Sequence, residues 1–302
     1  MIRVGFVNLD TSHPAAFLKI LRQMEDVRVT AVFDEGAVRE ESYIHEFCSS
    51  HDCKRYFSLD EMAQDVDAVM ILGVNWDRHF DQSLPFVKAG KAVYIDKPVC
   101  GNARDVRRFE QLISESEAPF LAGSGWRFNQ KVLLASRHGA ASAAREFYVE
   151  SCLPSYFYGI HAIELAIGLL GPGFTRVQTF CWDEQKAGVL LSLEHRQGKH
   201  VLVKMAPSQQ YWRGALYRVG QEWHPVTFEA ADIHGSVCGA FMEMARGGKP
   251  VCEAHSCLES VRIMLAARHA ADTGKAVEMD AALPETVQFD GAAFEESYKT
   301  GK

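Results

Sequence analysis

Up to Gly123 short apolar runs alternate with stretches in which apolar residues recur every three or four positions, the pattern of repeated βα units on a parallel sheet. The runs predict strands over 3–8, 27–33, 55–57, 68–72, 93–95 and 120–122. Helices are predicted between them, over 14–25, 39–49, 59–64, 80–89 and 103–116. In the first of these Ala16, Phe17, Ile20, Leu21 and Met24 form one buried face, and Gly90 closes the fourth. Beyond Gly123 strands follow one another through turns such as Gln197-Gly198, over 145–151, 177–182, 188–195, 199–205, 216–220 and 222–228. This predicts a large, open, mostly antiparallel sheet, interrupted by helices over 161–170, 233–246 and 257–272. The expected fold is α/β, with a parallel-sheet domain over 1–122 and an α+β domain over 123–302.

Composition narrows the function classes. A length of 302 residues suits two domains, and a net charge of -7 with 24% charged residues gives no basic surface for nucleic acid or an anionic membrane. No segment is apolar for long enough to span a bilayer, and the first residues run directly into a strand, so a cytoplasmic protein is expected. The eight cysteines are scattered without a Cys-x-x-Cys pair, which predicts reduced, mostly buried thiols and no metal.

The most informative segment is Gly90-Lys-Ala-Val-Tyr-Ile-Asp-Lys-Pro98, a strand that runs into a charged turn. Ligands of open α/β sheets bind beyond the carboxyl ends of the strands, so Lys97 is the first residue to suspect of chemistry. The plain alternative is a solvated loop lysine.

With these elements in place the chain resembles the Gfo/Idh/MocA family (glucose-fructose oxidoreductase and inositol dehydrogenase). Ala89-Gly90-Lys91 followed by Asp96-Lys97-Pro98 is similar to its Ala-Gly-Lys…Glu-Lys-Pro signature, with Asp for Glu. Gly73-Val74-Asn75 with His79, Arg127-Phe128-Asn129, and Gly159-Ile160-His161 with Glu164 and Leu169-Leu170-Gly171 match further family segments in order. The resemblance implies that the first domain is a Rossmann domain for NAD or NADP and the second serves substrate binding and oligomer formation. It implies oxidation or reduction of a secondary alcohol or ketone of a sugar, cyclitol or similar molecule. By resemblance, Lys97 stabilises the reacting oxygen and His161 takes its proton. A histidine has an ordinary pKa near 6.5, which suits a general base. A helix-start histidine satisfied by the backbone is the plain alternative.

Two departures matter. Where the family has Gly-x-Gly-x-x-Gly/Ala, this chain has Asn8, Asp10 and His13. A carboxylate about 4 Å from a phosphate charge, at an effective dielectric near 20, costs about 4 kcal/mol. Either Asp10, Thr11 and Ser12, with Pro14, cap their own helix, or Asp10 and His13 join a new polar site facing Lys97, or Ser12 and His13 meet phosphates of a shifted cofactor. The second departure is Phe157, where the family often has an aspartate that assists the base. Glu164, one turn after His161, is expected in an ion pair or hydrogen bond rather than on a metal.

The expected cofactor contacts are Asn8, Asp10, Ser12, His13, Asp34, Gly73, Asn75, His79 and Asp96. Asp34, at the end of the second strand, stands where a carboxylate holds the adenosine ribose, which favours NAD over NADP. Trp126, Arg127, Tyr158 and Trp212 are expected to line the substrate cleft with Lys97 and His161; Trp76, Tyr211 and Arg213 are further candidates. The leading reading is an NAD(P)-dependent oxidoreductase of a polyol-like molecule. The alternatives are a non-redox sensor or binding protein, and a lyase or epimerase using Lys97, His161 and His13. A homodimer or larger homo-oligomer is expected, to cover the open sheet.

Overall fold

A computed structural model describes residues 1–137, 140–207, 213–227 and 229–301. Trp212 and Tyr211, expected at the cleft, lie outside the described residues.

The first part is a six-stranded parallel sheet in the order β3-β2-β1-β4-β5-β6. Its strands are β1 (Ile2–Val7), β2 (Val27–Phe33), β3 (Lys54–Tyr56), β4 (Ala68–Ile71), β5 (Ala92–Asp96) and β6 (Phe120–Gly123). The connecting helices are α1 (His13–Leu21), α2 (Glu41–His51), α3 (Leu59–Asp65), α4 (His79–Lys88) and α5 (Ala103–Ser114). Every residue of β4 and β5 is buried, as expected of strands covered on both faces. Ser58 and Asn102 cap α3 and α5, each accepting a hydrogen bond from a backbone N–H of the first turn. The strand order reverses between β1 and β4, so the ligand crevice of this sheet lies beyond their carboxyl ends.

Short helices α6 (Gly125–Phe128), α7 (Gln130–Arg137) and α8 (Ala140–Ala143) lead to the second sheet. Its strands are β7 (Glu146–Cys152), β8 (Phe174–Asp183), β9 (Gly188–His195), β10 (Lys199–Ala206), β11 (Gly214–Val219), β12 (Glu222–Val226) and β13 (Val277–Glu278). The order is β12-β11-β7-β10-β9-β8-β13, antiparallel except where β7 pairs with β10. Helices α9 (Tyr156–Leu170) and α11 (Glu259–Thr273) pack on this second part, and α10 (Ala230–Ala245) reaches back to α1. The inward residues Val189, Leu191, Leu193, Val201 and Val203 are buried, while Leu202 on the other face is exposed.

Two elements depart from expectation. Helix α9 begins at Tyr156, so His161 sits in its second turn and not at its start. A further helix, α12 (Gly291–Thr300), has no counterpart in the hydrophobic pattern, because only Phe294 and Tyr298 mark its contact face.

Candidate active site

The first turn is built around Asn8, which takes the left-handed conformation (φ 68°) that glycine normally supplies. Its amide oxygen accepts a hydrogen bond from Gln82 at 2.8 Å. A Cβ at Gly73 would come within 3.1 Å of that oxygen, a tight contact that would require the Asn8 side chain to give by a few tenths of an ångström. Asp10 is buried and its carboxylate accepts the Val74 N–H at 2.9 Å, tying the turn to the loop after β4. Self-capping is achieved by Thr11, whose Oγ1 accepts the His13 N–H at 3.0 Å; the exposed Ser12 makes no side-chain cap bond.

Asp34, expected at the adenosine ribose, is placed under the first turn. It is 2% exposed, and its two carboxylate oxygens accept the backbone N–H groups of Leu9 (2.7 Å) and Gly36 (2.8 Å), so it braces the first turn from beneath. Burial raises its pKa against the pull of those bonds. His79, also expected at the cofactor, is fully buried, its ring nitrogens lie 3.0 Å from the Gly73 carbonyl and 3.2 Å from that of Val99, and it fastens two loops together.

At the end of β5, Asp96 joins the domain's polar groups. One carboxylate oxygen lies 2.5 Å from His13 Nδ1; the other accepts the Lys97 N–H (2.9 Å) and the Tyr94 hydroxyl (3.2 Å). Burial pushes Asp96 up, but His13 and Lys97 outweigh it and hold the carboxyl well below its usual range. His13 packs edge-on against His234 of α10, with ring centroids 5.1 Å apart.

Lys97 is not a solvated lysine. It is 2% exposed, its ammonium donates to the Phe157 carbonyl at 3.1 Å and stands 3.4 Å above the Phe157 ring, with Tyr158 at 5.5 Å. Burial lowers it to about 8 despite Asp96. Phe157 therefore faces the lysine through its carbonyl and the π-face of its ring.

From the other side α9 delivers His161. Its Nδ1 lies 2.6 Å from Ser124 Oγ, and Trp126 stacks on it at 5.3 Å, with 24° between the rings. Burial, and then the Lys97 charge, push its pKa well below 6.5, with His13 and Arg213 adding to the fall and Asp96 opposing it. Lys97, His161, Asp96, His13, Trp126 and Tyr158 thus form one cluster between the two sheets.

Arg127 corrects the expectation of a cleft residue. It is 4% exposed and its guanidinium donates to the Ser256 carbonyl (2.9 Å) and hydroxyl (2.7 Å), with Glu164 at 3.8 Å. Glu164 faces Arg127 and the Ser260 hydroxyl, and burial raises it to about 7.

Residues 2–124 match the family model described as the Gfo/Idh/MocA oxidoreductase family, NAD-binding Rossmann fold. Over those residues the chain is similar to that family. It is 31% identical over 105 residues to an inositol 2-dehydrogenase of Rhizobium meliloti, a match that spans 34% of this chain and 30% of that protein. It is 33% identical over 130 residues to the human trans-1,2-dihydrobenzene-1,2-diol dehydrogenase, 42% of this chain and 36% of that one. These sequence matches thus span about a third of the curated relatives' length. A scyllo-inositol dehydrogenase from Lactobacillus casei, solved with NAD(H) and scyllo-inositol, has the same fold. It superposes with a TM-score of 0.78 at 14% identity, covering 93% of this chain and all (100%) of that one.

The parallel-sheet domain fits a dinucleotide in the course of its backbone. Asn8 keeps the left-handed turn, Gly73 packs against the Asn8 side chain, and one oxygen of the Asp10 carboxylate accepts the Val74 N–H. The groove itself is covered: Asn8, Asp10, Thr11, Asn75 and Lys97 are all less than one-tenth exposed. Asn75 caps the short 3-10 turn Trp76–Arg78 through its carbonyl and donates to Glu295 of α12 at 3.4 Å. That cover was missed from sequence; the two aromatic residues four apart, Phe294 and Tyr298, were the available signal.

Proposed function

We propose that this protein is an NAD-linked oxidoreductase of a small polyol-like molecule, with Lys97 and His161 at its reacting oxygen. The observation that carries the reading is the pairing of a lysine lowered to about 8 with a histidine held well below its ordinary range. At neutral pH the first is a cation and the second a neutral base. The Lys97 ammonium stabilises negative charge as a hydroxyl loses its proton, in a buried place where a charge acts strongly. In the tautomer that donates Nδ1–H to Ser124, the His161 Nε2 is the atom left to take the proton. Trp126 fixes the imidazole plane, and Tyr158 offers a ring face and hydroxyl to the substrate.

NAD, when bound, supplies the hydride acceptor. The turn at Asn8, the start of α1 with Ser12 and His13, and Gly73, Asn75 and Asp96 are the residues that hold it. Titration with NADH and NADPH, followed by energy transfer from tryptophan, tests the reading together with oxidation assays on cyclitols. Absence of binding to either nucleotide would overturn it.

A second reading is favoured by one observation, the His13–Asp96 contact of 2.5 Å, which adds an imidazole that the fingerprint does not have. With two imidazoles beside a lysine, the site suits elimination or epimerisation. Turnover without change in nicotinamide absorbance would support it.

The outer face of the second sheet carries exposed Phe180, Leu202 and Trp223 and is the surface we assign to a second copy of the chain. Sedimentation of the wild type against Leu202→Glu checks this; a monomer in both cases removes the assignment.

A further inference from the structure

Helix α12 lies over the crevice in which the Rossmann fold places its ligand. Phe294 stacks on Phe157 at 4.6 Å and contacts Trp76 at 5.3 Å; Tyr298 reaches Phe157 at 6.3 Å. The Trp76 indole donates to the Phe289 carbonyl at 2.8 Å, just before the helix. Asp77 accepts the N–H groups of Gly291 (2.8 Å) and Ala292 (3.2 Å), which seats the helix start on the loop after β4. A Cβ at Gly291 would come within 2.8 Å of Asn75 Oδ1, so the helix approaches the loop as closely as glycine allows. At its other end Tyr298 is raised by burial and then by the charge fields of Tyr158 and Asp10, with Arg39 opposing. Asp10 belongs to the first turn, Arg39 donates to the Leu9 and Thr11 carbonyls, and Tyr158 flanks Lys97. The helix therefore runs from the β4 loop to a place above both the first turn and the lysine.

The helix covers Asn75 directly through Gly291 and Glu295, and it comes near Asp10 through Tyr298. It is also a helix of poor intrinsic stability: ten residues are too few to persist alone, and only Gly291 among them is fully buried. Its attachment rests on two aromatic side chains, one cap and Glu295, which faces Asn75 and Arg78. Such an element belongs to the part of a structure that opens first.

We propose that α12 is a displaceable gate that fills the dinucleotide groove in the free protein and leaves it when the nucleotide enters. The proposal rests on the dinucleotide reading above. The gate lowers apparent affinity by the fraction of molecules in which it is open. Loosening it raises affinity by the same factor, without any new contact to the ligand.

The test uses full-length wild type, Phe294→Asp and Tyr298→Ala, each titrated with NADH by tryptophan energy transfer. Hydrogen exchange over 291–300 is read in the wild type with and without NADH. The expected result is about tenfold or more tighter binding by both variants, together with faster exchange of the α12 amides when NADH is added. Equal, measurable affinity in all three proteins, or slower exchange of α12 on adding NADH, overturns the gate and leaves the dinucleotide reading standing. No binding by any of the three, with all folded by circular dichroism, overturns both.

Discussion

His13 Nδ1 and Asp96 Oδ2 lie 2.5 Å apart, which joins the turn after β1 to the turn after β5 across the top of the sheet. The same Asp96 holds the Lys97 backbone N–H, so the position of the lysine depends on the carboxylate that orients the imidazole. Asp96→Asn removes the charge that pulls Lys97 upward and therefore moves the lysine below its value of about 8. Nitrogen-15 NMR of the Lys97 ammonium checks this direction; a rise would contradict the arrangement. Because the folded Asp96 pKa is depressed, its contribution to stability is present above the unfolded carboxylate value. It is lost as the pH falls toward the depressed one.

Lys97 should itself be a cost to folding. Between its folded value of about 8 and its unfolded value near 10.4 the unfolded chain binds more protons, so stability rises with pH in that window. Lys97→Met is expected to stabilise the ligand-free protein at pH 7 by about 1–3 kcal/mol, less the loss of the Phe157 contacts, and the gain shrinks as pH approaches ~10.4. Thermal unfolding across this range is the measurement. The same variant should abolish turnover if the lysine meets the substrate oxygen.

Glu164 and Arg127, 3.8 Å apart and both buried, form a pair whose acid partner is raised to about 7. Between the unfolded glutamate value and about 7 the folded state holds the extra proton, so this group's contribution to stability falls as pH rises through that interval. Glu164→Gln is expected to flatten the fall. Arg127→Met should cost about 3–5 kcal/mol by leaving a buried carboxylate without its counter-charge, read as a lower denaturant midpoint at neutral pH.

His161 stays neutral throughout the physiological range because burial and Lys97 both oppose its protonation. Its carbon-bound proton resonances should show no titration between about pH 6 and pH 8. Lys97→Met removes the largest of the charge effects and should raise its pKa. Ser124→Ala removes both the imidazole partner and the cap that accepts the Trp126 N–H at 3.1 Å, with about 1 kcal/mol lost from stability.

The βα alternation, the delivery of Lys97 by β5 and the mixed, mostly antiparallel second sheet were legible in the chain because hydrophobic periodicity records which faces are buried. The ordered motifs also placed Lys97 and His161 as candidates before any coordinates. Sequence could not decide where Asp34, His79 and Arg127 direct their polar atoms. Each is a residue type that serves a ligand or the backbone equally well, and here backbone or serine groups claimed them.

What the sequence by itself determined is therefore the pair of layers and the list of candidate groups, since both depend on local pattern and residue chemistry. Only the tertiary structure decided which of those groups meet. The His13–Asp96 contact spans strands distant in the chain, and Phe157 closes over Lys97 because α9 starts early. Helix α12 covers the groove through two aromatic residues too sparse to announce a face. Contacts between distant segments are fixed by packing and by the need to satisfy buried polar groups, and neither leaves a periodic mark along the chain.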